Sequence, residues 1–387
     1  MKSKIMQIIR NNKFFLWCYC FFGSIAINLL KIFVKCDNNI ILFNSFGGKK
    51  FDDSPKEIYL QLIKDDRFKN AKIYWAFHSP SDFEIPRGEK IKTDTLKYFI
   101  ICLKARVWVS NSSMQRGLVF KGKKTFSFNT WHGTPIKKMG FDAGDKNNIM
   151  KCNDVILVQG NFEKNIFSKA YRLPLTKFLE YGYPRNDCLL SYDKEKVIEI
   201  KRKLNIDLNK KVILYAPTFR DYQFGKNGNC FSSPIDLNKW KEELGEEYVL
   251  LFRVHYEVVK TLNMVEDDFV KNLSQYKNLN ELLMISDILI SDYSSIIFDY
   301  SIMNKICYHY CYDFETYSNE RGIYFDIREW FSGSDNEISL LNLIKNHNYE
   351  QEIAKTEKFK NEFINYYGNA TALSVDRIYK ELISDDK

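Results

Sequence analysis

Val212-Ile213-Leu214-Tyr215-Ala216-Pro217-Thr218-Phe219-Arg220-Asp221 is a short β-rich run that empties into a polar loop, and it follows a charged helical stretch, Asp193 to Leu204. Runs of the same kind stand before that stretch, at Ile40-Ile41-Leu42-Phe43, Ile73 to Phe77, Val107-Trp108-Val109, Thr125 to Phe128, Val155 to Val158 and Phe178 to Tyr181. They resume after it at 212–215, Tyr248 to Val254, Asp287 to Ile290 and Ile306 to Tyr310. Short β runs alternating with longer mixed segments read as α/β with mostly parallel sheets. A pattern that begins again reads as a second domain, and no internal sequence repeat accompanies it, so the restart is architectural. The expectation is two doubly wound, Rossmann-like domains facing a cleft, 39–190 and 206–387. A length of 387 residues agrees with it, since a domain usually takes about 100–200 residues. The C-terminal stretch Tyr349 to Ser384 reads as a charged helical cap that can pack back across the junction.

Upstream of the first run lies a different kind of segment, 1–38. Phe14 to Val34 is almost wholly apolar, but Asn28 and Lys31 interrupt it before the ~20 clean residues of a spanning helix are reached. Lys2, Lys4, Arg10, Lys13, Lys31 and Lys35 surround it, which suits anionic headgroups. A spanning helix with those basic residues inside would carry the rest of the chain outside, away from nucleotides and reductants. The favoured reading is a helix in the cytoplasmic leaflet, with Trp17 and Tyr19 at the interface; spanning and packing on the protein itself are the alternatives. Cleavage as a signal peptide is disfavoured, because lysines follow the apolar part and no small-residue site does.

Composition narrows the class. With 45% hydrophobic residues, 30 Phe and 24 Tyr, the chain is folded. A net charge of +8 points to an anionic partner, and the absence of zinc-finger spacing or an arginine-rich tract argues against nucleic acid. Nine scattered cysteines fit a reducing compartment. Cys307-Tyr308-His309-Tyr310-Cys311 reads as a buried strand rather than a metal site.

Ligands of such sheets bind beyond the carboxyl ends of strands, so the post-strand loops carry the candidates. In Asn129-Thr130-Trp131-His132-Gly133-Thr134-Pro135-Ile136-Lys137-Lys138, an imidazole in a Gly-Pro loop is placed to take a proton from an attacking hydroxyl. Pro135 suits the first turn of a helix. Period-two alternation puts Arg253 and His255 on one strand face, a fork and a ring for phosphate oxygens, or else unrelated polar ends of a surface strand. Asp287 to Tyr300 reads as strand, turn and helix. There Ser294 and Ser295 can hold a phosphate, and capping by Asp292 or Ser294 is the plain alternative. Thr218 and Arg220 form another phosphate-capable corner. Arg185, in Gly182-Tyr183-Pro184-Arg185-Asn186-Asp187, either lines the cleft or shapes the linker. Asp52-Asp53, and Asp267 beside Glu266, read as solvated surface. No phosphate-loop, G-x-S-x-G or H-E-x-x-H pattern is present.

Taken together and in order, Trp-His-Gly-Thr-Pro at 131–135, Gly-Tyr-Pro-Arg-Asn-Asp at 182–187, Ala-Pro-Thr-Phe-Arg at 216–220, Arg-x-His at 253–255 and Ser-Asp-Tyr-Ser-Ser with Phe-Asp-Tyr at 291–300 resemble the CDP-glycerol glycerophosphotransferase family, the teichoic-acid primases, polymerases and capsule-synthesis relatives. The resemblance runs from about residue 40 to about residue 330. It implies a glycosyltransferase-B-like fold and peripheral attachment to the inner leaflet of the cell membrane. The implied reaction moves glycerol phosphate, or a related polyol phosphate, from CDP-glycerol or CDP-ribitol to a lipid-linked glycan or polyol-phosphate acceptor, releasing CMP. His132 matches the family's proposed base, His255 its donor-phosphate histidine, and Ser294 and Ser295 its donor-phosphate turn. Arg253, Thr218, Arg220 and Asp292 follow as donor-phosphate residues, and Thr134, Lys137, Asp299 and Arg185 as polyol or acceptor contacts. No cofactor is required, no protein-bound metal is expected, and Mg²⁺ can assist. Two other readings stay open: a nucleotide-sugar glycosyltransferase on the same fold, and a catalytically silent membrane-bound carrier of nucleotide-linked precursors.

Overall fold

The fold is described from a computed structural model, which covers residues 12–145, 150–218, 220, 235–254 and 266–384. One sheet contains β1 (Asp37–Asn44), β2 (Lys72–Phe77), β3 (Glu89–Lys92), β4 (Ala105–Ser110), β5 (Phe126–Asn129), β6 (Val155–Leu157) and β7 (Phe178–Leu179), in the order β3-β2-β1-β4-β5-β6-β7. The other contains β8 (Lys211–Ala216), β9 (Tyr248–Phe252), β10 (Val270–Asn272), β11 (Ile288–Ser291), β12 (Ile306–Tyr310) and β13 (Gly333–Ser334), in the order β10-β9-β8-β11-β12-β13. Neighbouring strands pair in parallel throughout, as at Ile41↔Val107 and Leu289↔Leu214. Both sheets reverse their winding beside their first strand, at β1/β4 and at β8/β11, and those switch points open a crevice for a ligand.

The apolar runs form central strands because both faces are buried. Alternate residues serve opposite layers. Ile41, Phe43, Val107 and Val109 enter one core, while Ile40, Leu42 and Trp108 enter another on the far side of the sheet. Val212, Leu214, Val249 and Leu251 alternate in the same way with Ile213, Tyr215, Leu250 and Phe252.

Three strands were not expected, and all lie toward the sheet rims. β3 reads Glu-Lys-Ile-Lys, charged as an edge should be, and β10 and β13 are only three and two residues long. β9 ends at Phe252, so Arg253 stands in the loop after it, although its N–H still bonds the Tyr215 carbonyl at 2.9 Å. The helix expected after Pro135 is absent. Ile136 is buried in the second domain's core, and its carbonyl accepts from Tyr324 N while Lys138 N donates to the Gly322 carbonyl, so these backbone groups are spent across the cleft.

Two helices bear on function. The C-terminal helix Ala370–Ile383 returns to the first sheet, where Val375 and Ile378 join the core of β1 and β4. Arg106 of β4 donates to the Glu381 carbonyl at 3.0 Å, which fixes the end of this helix. The N-terminal helix Lys13–Phe33 lies along the first domain and leaves Phe14, Trp17, Phe22, Leu29, Ile32 and Phe33 exposed.

Candidate active site

His132 follows β5, in a loop that sets up its imidazole through the backbone. Trp131 takes φ +53°, with its N–H on Asn129 Oδ1 at 2.7 Å and its indole N–H on the Gly133 carbonyl at 2.9 Å. The indole then stacks on the His132 ring, centroids 4.2 Å apart. His132 Nδ1 lies 2.8 Å from the Asn111 carbonyl, which can only accept, so Nδ1 carries the proton and Nε2 keeps a free lone pair. The side chain keeps solvent exposure while the Trp131 and Phe46 rings crowd the imidazole. That crowding lowers its pKa below the usual histidine value; the Asn111 carbonyl and Asp53 oppose the shift, and Arg185 adds to it. A neutral imidazole with a bare Nε2 is the form a general base needs.

The second domain meets this loop closely. Gly133 has φ +146°, and a Cβ there would sit 2.6 Å from Ser295 Oγ. The turn after β11 thereby brings Ser294 and Ser295, both half-buried, against the His132 loop. The helix that follows, Ile296–Ser301, has six residues.

Arg185 is buried between the domains. Its Nη1 reaches Asp53 Oδ1 at 3.0 Å, and its Nε and Nη2 reach Asp299 at 3.0 to 3.2 Å. Asn186 donates to Asp299 Oδ1 at 2.7 Å. Burial raises the Asp299 pKa against the pull of Arg185, whereas for Asp53 the guanidinium and the Ser54 N–H outweigh burial and lower it. Asp53 overturns its reading as solvated surface. Its backbone adopts φ +64° at the head of helix Asp53–Leu62, which turns the carboxylate inward.

The remaining candidates separate into those open to the cleft and those consumed beneath it. Arg253 is half-buried and commits Nη1 to the Leu273 and Tyr276 carbonyls, while Nε and Nη2 meet no partner among the described residues. Burial lowers its pKa. The Thr218 hydroxyl oxygen is buried and has no hydrogen-bond partner among the described residues. Arg220 differs from expectation. It is 1% exposed, and Asp292, both oxygens of Asp313 and the Thr218 carbonyl take its nitrogens, so it and Asp292 build the β8/β11 switch point from beneath. Thr134 is also buried, its hydroxyl accepting from Gln159 Nε2 at 2.8 Å. Lys137 pairs through its backbone with Ile323. His255 lies outside the described residues. Among the described residues, no group of three or more His, Cys, Asp or Glu side chains could hold a metal ion.

Residues 26–383 match the family model described as CDP-glycerol:poly(glycerophosphate) glycerophosphotransferase. The chain belongs to this family. Its relatives include the teichoic acid glycerol-phosphate transferase of Staphylococcus aureus, 34% identical, with 81% of this chain and 86% of that protein covered. The teichoic acid poly(glycerol phosphate) polymerase of Staphylococcus epidermidis is 36% identical over 76% of this chain, which spans only 43% of that protein's length. Among solved structures, a variant of the wall teichoic acid polymerase TagF soaked with CDPG superposes with a TM-score of 0.81 at 32% identity, covering 90% of both chains. Family membership bears out the resemblance drawn from the five motifs, and the match to TagF bears out the two-domain, glycosyltransferase-B-like fold.

Asp53, Asn111 and Glu163, which pack around these candidates, were not singled out in the sequence as site residues. Each makes its contact with a partner at least 20 residues away in the chain, so no local pattern marks it.

Proposed function

We propose that this chain transfers glycerol phosphate, or a related polyol phosphate, from its CDP-activated form to a hydroxyl of a membrane-linked teichoic-acid-like or capsular polymer precursor, with His132 as general base. The observation that carries this is the Nδ1–H donated to the Asn111 carbonyl, which leaves Nε2 as the ring's acceptor, in a loop whose next residue, Gly133, lies against the Ser295 turn. The acceptor oxygen attacks the phosphorus next to the polyol as Nε2 takes its proton. The bond from that phosphorus to the bridging oxygen breaks, and CMP leaves with the electron pair. Charge gathering on the non-bridging oxygens is met by the Ser294, Ser295 and Thr218 hydroxyls and by Arg253. His255 is the further donor-phosphate residue of this reading.

The protein works on the cytoplasmic face as a peripheral membrane enzyme. The polar residues that interrupt the apolar N-terminal run support this placement. Ser24 Oγ accepts from Val119 N at 3.0 Å, Asn28 Nδ2 donates to the Val119 carbonyl at 2.8 Å, and Lys31 reaches the Phe120 carbonyl at 3.4 Å. A helix pinned sideways to its own domain suits a position in the leaflet plane rather than across it.

Turnover is tested with CDP-glycerol, CDP-ribitol and UDP-sugars, each with a lipid-linked acceptor. The expected outcome is CMP release that falls by about 10²-fold or more in His132→Ala. UDP release without CMP release would overturn the reading.

A further inference from the structure

We infer that Asp53 is a positioning residue for His132, fixing the loop that holds the imidazole and supplying the buried negative charge against which the imidazolium forms. This rests on the base role proposed above.

Asp53 is 8% exposed and stands at the β1/β4 switch point, where the loops after those strands meet. Its carboxylate divides between two tasks. Oδ2 accepts from Asn111 Nδ2 at 3.2 Å, and Oδ1 accepts from Arg185 Nη1 at 3.0 Å and from Ser54 N at 2.5 Å. Asn111, fully buried, passes the constraint on. Its Oδ1 takes the Phe46 N–H at 2.8 Å, and its carbonyl takes His132 Nδ1–H at 2.8 Å. Asp53 therefore reaches the imidazole through one residue: the Asn111 carbonyl sets the tautomer and the ring's direction, and Asp53 helps hold the residue that carries it. A non-glycine residue at φ +64° is uncommon, even for Asp, which tolerates the left-handed region better than most. A strained conformation at a switch point, aiming a buried charge at the base, is an observed outlier of the kind found at working sites.

Charge balance points the same way. Asp53 and Asp299 share a single guanidinium, so the buried cluster holds one more anion than cation while both are ionised. Burial prevails over its partners at Asp299 and raises its pKa, whereas Arg185 and the Ser54 N–H prevail over burial at Asp53, so the persistent anion is Asp53, the one whose charge reaches His132. The charged groups that face His132 are Asp53, which favours its protonated form, and Arg185, which opposes it. When the acceptor hydroxyl forms its bond to phosphorus, its proton passes to Nε2, and Asp53 stabilises the resulting imidazolium without touching the substrate.

The test is an NMR titration of the histidine rings in the full-length protein, with His132 assigned by its loss in His132→Gln. In Asp53→Asn, the His132 titration is expected to move to lower pH and kcat to fall by about tenfold or more, with the acid limb of the pH–rate profile moving the same way. Loss of activity with an unmoved His132 titration in folded protein would overturn the inference, since a merely structural residue has that effect. If Asp53→Asn does not fold, Asp53→Glu keeps the charge. Its His132 titration should stay in place, and a downward displacement with the charge retained would also overturn the inference. The titration needs no turnover, so its failure is distinguishable from full activity in His132→Ala, which would instead remove the base role itself.

Discussion

At Gly133 a methyl group would meet Ser295 Oγ at 2.6 Å and Ser295 Cβ at 3.0 Å, on a backbone whose φ of +146° excludes most side chains. The loop of His132, the proposed base, and the second domain's serine turn approach this closely only because position 133 has no side chain. Gly133→Ala should push the two apart by a fraction of an ångström or more. A displacement of that order at reacting groups costs up to about 10²-fold. The expected outcome is a comparable fall in kcat/KM with the fold retained by circular dichroism; full activity would show that the contact plays no part. The Gly was legible in the sequence as a backbone device beside His132, but its partner was not. Asp53 was harder still. Next to Asp52, in a polar stretch, it resembles ordinary surface, and only the φ of +64° and an Arg 132 positions away make it part of the site. Arg220 erred in the opposite direction. An Arg after a strand resembles a phosphate ligand, yet the tyrosine rings around it and the paired carboxylates of Asp292 and Asp313 consume it.

At the scale of elements, the base loop is held from below by helix Asn161–Ala170. Its Glu163 is fully buried and accepts from Tyr183 Oη and from Gln159 N, while Gln159 Nε2 reaches the Thr134 hydroxyl. One carboxyl thus ties the loop of His132 to the linker of Arg185. Burial is the main influence on it and pushes its pKa up to about 7, against the opposing hydrogen bonds from Tyr183 and Gln159. A carboxyl raised in the folded state binds its proton more tightly there than in the unfolded chain, where it titrates near 4.3. The stability it favours is therefore whole at low pH and is lost as pH rises through that interval. Glu163→Gln has no such proton to lose. The unfolding free energy of the parent relative to the variant should fall by about 2–3 kcal/mol between pH 4.3 and 7 and stay level above it. Denaturant melts across that range measure this, and a constant difference would refute it. Long apolar strands were readable because burial on both faces leaves an unbroken hydrophobic record. β3, β10 and β13 were not, since an edge strand needs only backbone pairing and carries charged or small residues.

For the whole molecule, the proposed membrane placement turns on the apolar face of helix Lys13–Phe33. Trp17 is 57% exposed, Phe22 60% and Phe33 83%, while Tyr19, Ile27, Leu30 and Val34 pack inward on the first domain. The helix has an inner face satisfied by its own domain and an outer face that water would leave unfavourably solvated. Each large side chain that enters lipid contributes about 1.5–3 kcal/mol, so a handful suffices for tight association. Exposed Lys35, just past the end of the helix, favours anionic headgroups, with an attraction that weakens as salt screens it. In sedimentation with vesicles of phosphatidylglycerol and phosphatidylcholine, the protein should bind at low salt and be released in part at high salt. Phe22→Glu with Leu29→Glu should abolish binding, because both positions face outward and neither contributes to the site. The same double variant should retain turnover of CDP-glycerol on a short, water-soluble acceptor while losing it on an acceptor embedded in vesicles. Equal losses on the two acceptors would mean that the helix supports the fold instead of delivering the active site to the membrane surface.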